Sequence, residues 1–192
     1  MNWSQETEKV ADWIAEYNKN AGTKGYVLGL SGGLDSAVVA ALLIEAVGKN
    51  NVYLYFIDIE SNPQSAKDAW DIAQKLKMPL TSVSLTHPFR EYVKYASAWL
   101  KKGVHSTLQL ANIKARDRMK YLYDMGADNE CLVSGTGNLS ELQVGYCCYD
   151  KKTRALTPDG LKYFYELNKN DIVFSLNLKT KYLEEKIISK MN

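Results

Sequence analysis

The chain has 192 residues, 46% of them hydrophobic and 24% charged, enough to bury one substantial core with a small appendage. A formal charge of +2, with Lys and Arg scattered and no basic block interleaved with aromatics, offers no electrostatic footprint for nucleic acid. No apolar run reaches the roughly 20 residues that span a bilayer, and "MNWSQETEKV" lacks a basic region followed by an apolar one, so no membrane association is expected and the default location is cytoplasmic.

Up to about residue 146 the pattern alternates between helix and strand. Residues 4–18 place Val10, Trp13, Ile14 and Tyr17 at i, i+3, i+4 and i+7, which predicts a helix packing through that stripe. "YVLGLS" (26–31) reads as a short buried strand, and "SAVVAALLIEAVG" (36–48) as a helix apolar on nearly all sides that ends at Gly48. A strand over 51–59, a helix over 65–77 and a strand over 80–85 follow. This βαβαβ rhythm predicts a parallel sheet with right-handed crossovers. Helices at about 88–102 and 107–126, a strand at 131–135 and a helix opening near Asn138 complete the series.

Chemistry concentrates first in "GLSGGLDS", Gly29 to Ser36, between the first strand and its helix. A Gly-Gly turn lets backbone N–H groups approach an anion closely, the helix N-terminus adds partial positive charge, and Ser31 and Ser36 can add hydroxyl donors. Asp35 would repel a polyphosphate unless a divalent cation lay between them, which points to Mg²⁺. The alternative is a glycine-rich turn with no ligand. The absence of a Gly-Lys-Ser/Thr ending separates this loop from that of the common NTPases. It resembles instead the pyrophosphate loop of enzymes that split ATP between its α and β phosphates.

Two further stretches carry polar groups. In "NIKARDRMKYLYDMGA" (112–127), Asn112, Arg116 and Lys120 fall on one helix face at i, i+4 and i+8, and Ala115, Met119 and Leu122 are expected to pack. That polar face is either a ligand contact or simply solvated. In "SGTGNLSELQVGY" (134–146), Thr136 and Asn138 lie near a helix start and Glu141 in its first turn. Glu141 is either an acid favoured by the helix dipole or a second carboxylate of a metal site with Asp35.

Taken together, "GLSGGLDS", "NIKARDRM" and "GTGNLSELQVGY" resemble ammonia-dependent NAD synthetase over about residues 1–147. The resemblance implies an α/β fold, a doubly wound parallel sheet of the ATP-pyrophosphatase type. It also implies ATP on Gly29, Leu30, Ser31, Gly32, Gly33, Leu34, Asp35 and Ser36, Mg²⁺ on Asp35 and Glu141, deamido-NAD on Arg116, and an ATP contact from Thr136. The substrates would be deamido-NAD and ammonia, and the complete enzyme a homodimer. The first helix begins at the start of the chain and leaves no room for the N-terminal glutaminase domain of related synthetases, so free or partner-delivered ammonia is expected.

Three cysteines, Cys131, Cys147 and Cys148, form no C-x-x-C, so neither a disulfide framework nor a four-thiolate zinc site is expected. After Cys148 the composition changes class: "TRALT", a Pro-Asp-Gly turn, "LKYFYEL", "IVFSLN" and "YLEEKIISK" read as all-β. This segment, 148–192, resembles the N-terminal part of an intein, with Cys148 as splicing nucleophile and Thr153 in the following strand. The family's Thr-Lys-Tyr-Gly-Asp continuation does not follow. Two domains are therefore expected, 1–147 and 148–192, in a precursor inactive alone that a second chain completes. The alternatives are a truncated ATP-binding remnant or another ATP-pyrophosphatase, such as a GMP synthetase or a tRNA-thiolating enzyme.

Overall fold

In the computed structural model, which describes residues 3–137, 154–163, 166–167, 170–176 and 183–187, the alternating pattern becomes α1 (Trp3–Ala21), β1 (Tyr26–Gly29), α2 (Leu34–Val47), β2 (Val52–Asp58), α3 (Pro63–Leu76), β3 (Leu80–Ser84), α4 (Thr86–Ser97), α5 (Thr107–Asp128) and β4 (Leu132–Ser134). The helix expected near Asn138 lies outside the described residues, as do Glu141, Cys147 and Cys148. The chain divides into two compact units, Met1–Thr136 and Gly137–Asn192.

In the first unit the four strands form a parallel sheet of order β3-β2-β1-β4. Alternate residues of each strand point to opposite faces, and both faces are covered. Tyr26, Leu28, Leu54 and Phe56 meet Ile14 of α1, Ala40 and Leu43 of α2, and Ala69 and Ala73 of α3. Val27, Tyr55 and Ile57 meet Phe89 of α4 and Leu110, Ile113, Leu122 and Met125 of α5. Leu28, fully buried, gains on the order of 1.5–3 kcal/mol from leaving water.

Local chemistry sets the helix ends. The Asn62 side chain accepts from the Gln64 N–H at 2.9 Å and Pro63 occupies the first turn of α3, where its missing donor costs nothing. Ser106 and Gln109 form a reciprocal capping box at the start of α5.

Two expected packing faces are corrected. On α1, among the described residues, only Ala11 is buried and Ile14 reaches the core, while Val10, Trp13 and Tyr17 are 41%, 62% and 54% exposed. A single narrow line of α1 therefore packs, and Trp13 and Tyr17 rest against each other with ring centroids 5.6 Å apart. On α5, Ala115 and Met119 are exposed. The packed side carries Leu110, Ile113, Tyr121, Leu122 and Met125, and it includes Lys114 and Arg118, cations held beneath the helix rather than in water. The cations of the expected polar face, Arg116 and Lys120, are exposed, and Leu122 packs as expected; what shifts is the rest of the packing face.

The described part of the second unit consists of two antiparallel hairpins, β5 (Arg154–Thr157) with β6 (Gly160–Tyr163) and β7 (Ile172–Leu176) with β8 (Leu183–Ile187). The first turns at Pro158 and Asp159, where the Thr157 hydroxyl donates to the Gly160 carbonyl at 2.8 Å. Thr157 and Leu167 are buried.

Candidate functional site

The sheet order places β1 beside both β2 and β4, although the chain proceeds from β1 to β2 and β3 before returning to β4. Such a reversal opens a crevice at the carboxyl ends of the strands, where open α/β sheets bind ligands. A cleft of about 460 Å³ lies there. Gly29, Leu30 and Ser31 follow β1 into it, Tyr55 to Ile57 come from β2, Ser61, Asn62 and Ser65 from the next loop and α3, Arg118 and Leu122 from α5, and Thr136 from beyond β4.

The turn after β1 is held from within. The Ser31 N–H donates to Ser36 Oγ at 3.2 Å, the Gly33 N–H donates to Ser31 Oγ at 3.2 Å, and the Ser36 hydroxyl donates to the Gly33 carbonyl at 3.0 Å. Gly32 turns the chain at φ +87°, a conformation glycine adopts without steric cost. Ser36 is buried and its hydroxyl is used to shape the turn, so of the two serines expected to donate outward, Ser31 is the exposed one. No side chain caps Gly33 at the start of α2, and Asp35 is exposed in the first turn of that helix.

The opposite wall is a second braced loop. The Asp58 carboxylate accepts from the Ser61 N–H at 2.9 Å, Ser84 Oγ at 3.1 Å and Thr86 Oγ1 at 3.3 Å. The Ser61 backbone bond foremost, with the hydroxyl bonds, holds its carboxyl below the ordinary range. Glu60, at φ +52°, accepts from Lys114 Nζ at 2.9 Å and Arg90 Nε at 2.7 Å, and these bonds likewise lower its carboxyl. Lys114 also lies 5.0 Å from the centre of the Phe89 ring. Arg118 completes the brace: its Nε–H donates to the Ile57 carbonyl at 3.0 Å and its Nη2–H to Ser61 Oγ at 3.1 Å.

Of the residues singled out in the sequence, Gly29, Leu30, Ser31 and Thr136 share this cleft, and Gly32 to Ser36 form the turn and helix start that continue from it. Arg116 is exposed and is not among the described residues lining the cleft. Arg118, two residues on, is the cleft cation that pattern reading misses. It lies four residues before Leu122, whose place on the packed face points to it.

A family model described as "NAD synthase" matches residues 6–173. The chain belongs to the NAD synthase family. It is 39% identical over 148 residues to an NH3-dependent NAD(+) synthetase of Carboxydothermus hydrogenoformans, an alignment covering 76% of this chain and 59% of the relative. Among solved structures, an NH3-dependent NAD synthetase from Campylobacter jejuni subsp. jejuni in complex with the nitrate ion is similar at 35% identity and TM-score 0.68, covering 76% of this chain and 61% of that one. A glutamine-dependent NAD+ synthetase from Acinetobacter baumannii in complex with ADP is similar at 25% identity and TM-score 0.71, covering 78% of this chain and 28% of that one. The chain thus spans about three fifths of the length of these two ammonia-dependent relatives. The fold they share, an α/β domain with a parallel sheet, agrees with the expected class. Among the described residues, no helix of this NAD synthase family member is long and apolar enough to cross a membrane.

Proposed function

We propose that this chain is the ATP-binding part of an ammonia-dependent NAD synthetase, a carbon–nitrogen ligase that amidates deamido-NAD. The observation that carries the reading is the cleft at the sheet reversal, in which the Gly29–Ser31 turn and Thr136 meet on adjacent strands. ATP binds with its phosphates toward Gly29–Ser36, where main-chain N–H groups and the α2 N-terminus favour anions, and Thr136 contacts the nucleotide from just beyond β4. Arg116 contacts deamido-NAD. In the reaction the nicotinate carboxylate attacks the α-phosphorus of ATP, pyrophosphate leaves, and ammonia then displaces AMP from the acyl adenylate, losing a proton to give the amide.

Asp35 offers a hard oxygen donor on an exposed helix turn, and among the described residues no cluster of three or more acidic, His or Cys groups could hold a metal without help. That donor set suits Mg²⁺, which binds through one or two carboxylates together with substrate phosphates. Asp35 and Glu141 would hold it, and when bound it would neutralise charge developing on phosphate oxygens.

Calorimetry tests this. The 192-residue chain is expected to bind ATP more tightly with Mg²⁺ than without, and Asp35→Asn to erase about tenfold or more of that difference while leaving adenosine binding unchanged. Equal Mg²⁺-dependent affinity in the variant would remove Asp35 from the metal site. By itself the chain is expected to make no NAD from deamido-NAD, ATP and ammonia, because it spans about three fifths of an ammonia-dependent relative and the family's later substrate contacts are absent from it; turnover by the purified chain would overturn that part.

A second reading, drawn from the resemblance in sequence, takes residues 148–192 as the N-terminal part of an intein, with which two antiparallel hairpins are merely compatible. The family match, continuing to residue 173 across Cys147–Cys148, weighs against it. In this reading Cys148 Sγ attacks the Cys147 carbonyl carbon, the amide C–N bond breaks, and the proton passes to the Cys148 nitrogen, leaving a thioester. Mixed with a complementary C-terminal fragment, residues 1–147 would be transferred to it, Cys148→Ala would abolish the transfer, and Cys147→Ala would leave it largely intact. Intact-mass spectrometry reads all three; transfer surviving Cys148→Ala, or no transfer by the unaltered chain, would make the tail an ordinary part of the family fold.

A further inference from the structure

We propose that Arg118 anchors the anionic side of the bound substrate: its guanidinium faces the polyphosphate of ATP across the cleft from the Gly29–Ser31 turn. The role rests on the ATP reading above and adds to it a cation that neither the loop motif nor Arg116 supplies.

Three observations carry the inference. Arg118 is partly buried on the packed face of α5, yet it lines the cleft. Its two bonds go to neutral acceptors, the Ile57 carbonyl and the Ser61 hydroxyl, so they fix the plane of the guanidinium without cancelling its charge. Those two bonds use two of the five donors an arginine carries. Both acceptors are themselves held, Ile57 by its parallel register with Val83 and Ser61 by its N–H bond to Asp58.

The third observation is the contrast with neighbouring cations. Arg90 and Lys114 share Glu60. Among the described residues no carboxylate lies within ion-pair distance of Arg118. Burial disfavours its charge, with nearby Asp58 acting in the opposite sense, but the bonds described for the Asp58 oxygens come from Ser61, Ser84 and Thr86. The other polar side chains lining the cleft, Ser31, Ser61, Asn62, Ser65 and Thr136, are neutral. A partly desolvated, pre-oriented cation facing such a cleft favours a ligand that brings negative charge, because hydrogen bonds between charged partners are about twice as strong as neutral ones.

The test measures ATP, adenosine and deamido-NAD binding to the full chain by calorimetry at two salt concentrations, with Arg118→Gln and Arg118→Lys compared with the unaltered chain. Arg118→Gln is expected to weaken ATP roughly tenfold or more and to flatten its salt dependence, with adenosine unchanged within about twofold. Arg118→Lys, which keeps the charge and loses the fork, should weaken ATP less than Arg118→Gln does and keep its salt dependence. Equal losses for ATP and adenosine would mean that Arg118 only braces the loop, and an unchanged ATP affinity in Arg118→Gln would overturn the proposal outright. Weakening of deamido-NAD alone would transfer the anchor to the other substrate and overturn the ATP assignment. Should Arg118→Gln fail to fold, as read by circular dichroism, Arg118→Lys decides: an ATP affinity that keeps its steep salt dependence and falls, if at all, more than that of adenosine supports the anchor, and equal losses for ATP and adenosine refute it. No ATP binding by the unaltered chain would overturn the ATP reading and this inference with it, an outcome distinct from any in which only the variants differ.

Discussion

Gly32→Ala is expected to reduce ATP affinity at least tenfold, the largest effect of any single methyl group added near the cleft. Gly32 sits at φ +87°, where a β-carbon costs on the order of 1–3 kcal/mol. Space is also lacking: the new Cβ would lie 2.5 Å from the Ser65 carbonyl oxygen and 3.1 Å from Asp68 Cβ. The first of these is backbone of α3, which cannot swing aside as a side chain tip can. The turn would have to move, and with it the Ser31 and Gly33 N–H groups and the hydroxyl bonds that order them. Gly33→Ala provides the comparison, because Gly33 has an ordinary φ of −85° and its Cβ would meet only Ser31 Oγ at 3.3 Å. Calorimetric titration of ATP into both variants should show the loss in the first and at most a few-fold change in the second. Similar affinities for Gly32→Ala and the unaltered chain would mean that this turn is not where the phosphates rest.

Gly25→Ala is expected to produce the largest loss of stability. Gly25 is buried just before β1, and its carbonyl accepts the Leu132 N–H at 2.9 Å, tying the start of β1 to β4. A Cβ there would lie 1.9 Å from the Asn51 carbonyl oxygen, so two backbone segments must separate at the start of the β1–β2 pairing. Overpacking a well-filled site costs about 1–3 kcal/mol and sometimes more. With backbone on the opposing side, the upper end of that range is expected, a fall in melting temperature on the order of 10 °C. Thermal unfolding followed by circular dichroism measures it. A change of less than about 2 °C would show that β1 and the segment before β2 can part without cost, contrary to the tight parallel register of Tyr26 with Val52.

These two glycines mark different depths of legibility. Gly32 belongs to a run whose composition announces an anion-binding turn, although Ser65 and Asp68, which crowd it, come from α3. Gly25 carries no such signal, since its need for the absence of a side chain comes from Asn51, a residue on the far side of α2. The same distinction separates the two arginines. Arg116 lies on a polar stripe that helical spacing displays, whereas Arg118 faces inward because Ile57 and Ser61, from another strand and loop, accept its protons. Asp58 and Glu60 are equally silent in the sequence: their roles depend on Ser84, Thr86, Arg90 and Lys114, which reach them only when β3, α4 and α5 have docked.

By itself, the order of apolar and polar residues determined the succession of helices and strands over residues 3–134, their parallel pairing, and the turn between β1 and α2, though not that α4 ends at Ser97 rather than near 102, because periodicity and glycine turns act over a few residues and need no knowledge of distant contacts. Only the tertiary structure decided which face of α5 packs, that α1 meets the core through Ala11 and Ile14 while Trp13 and Tyr17 remain exposed, and that β4 returns beside β1 to open the cleft. Those outcomes turn on which distant surfaces come together, and a cation such as Arg118 is drawn inward when the acceptors waiting there outweigh its loss of water.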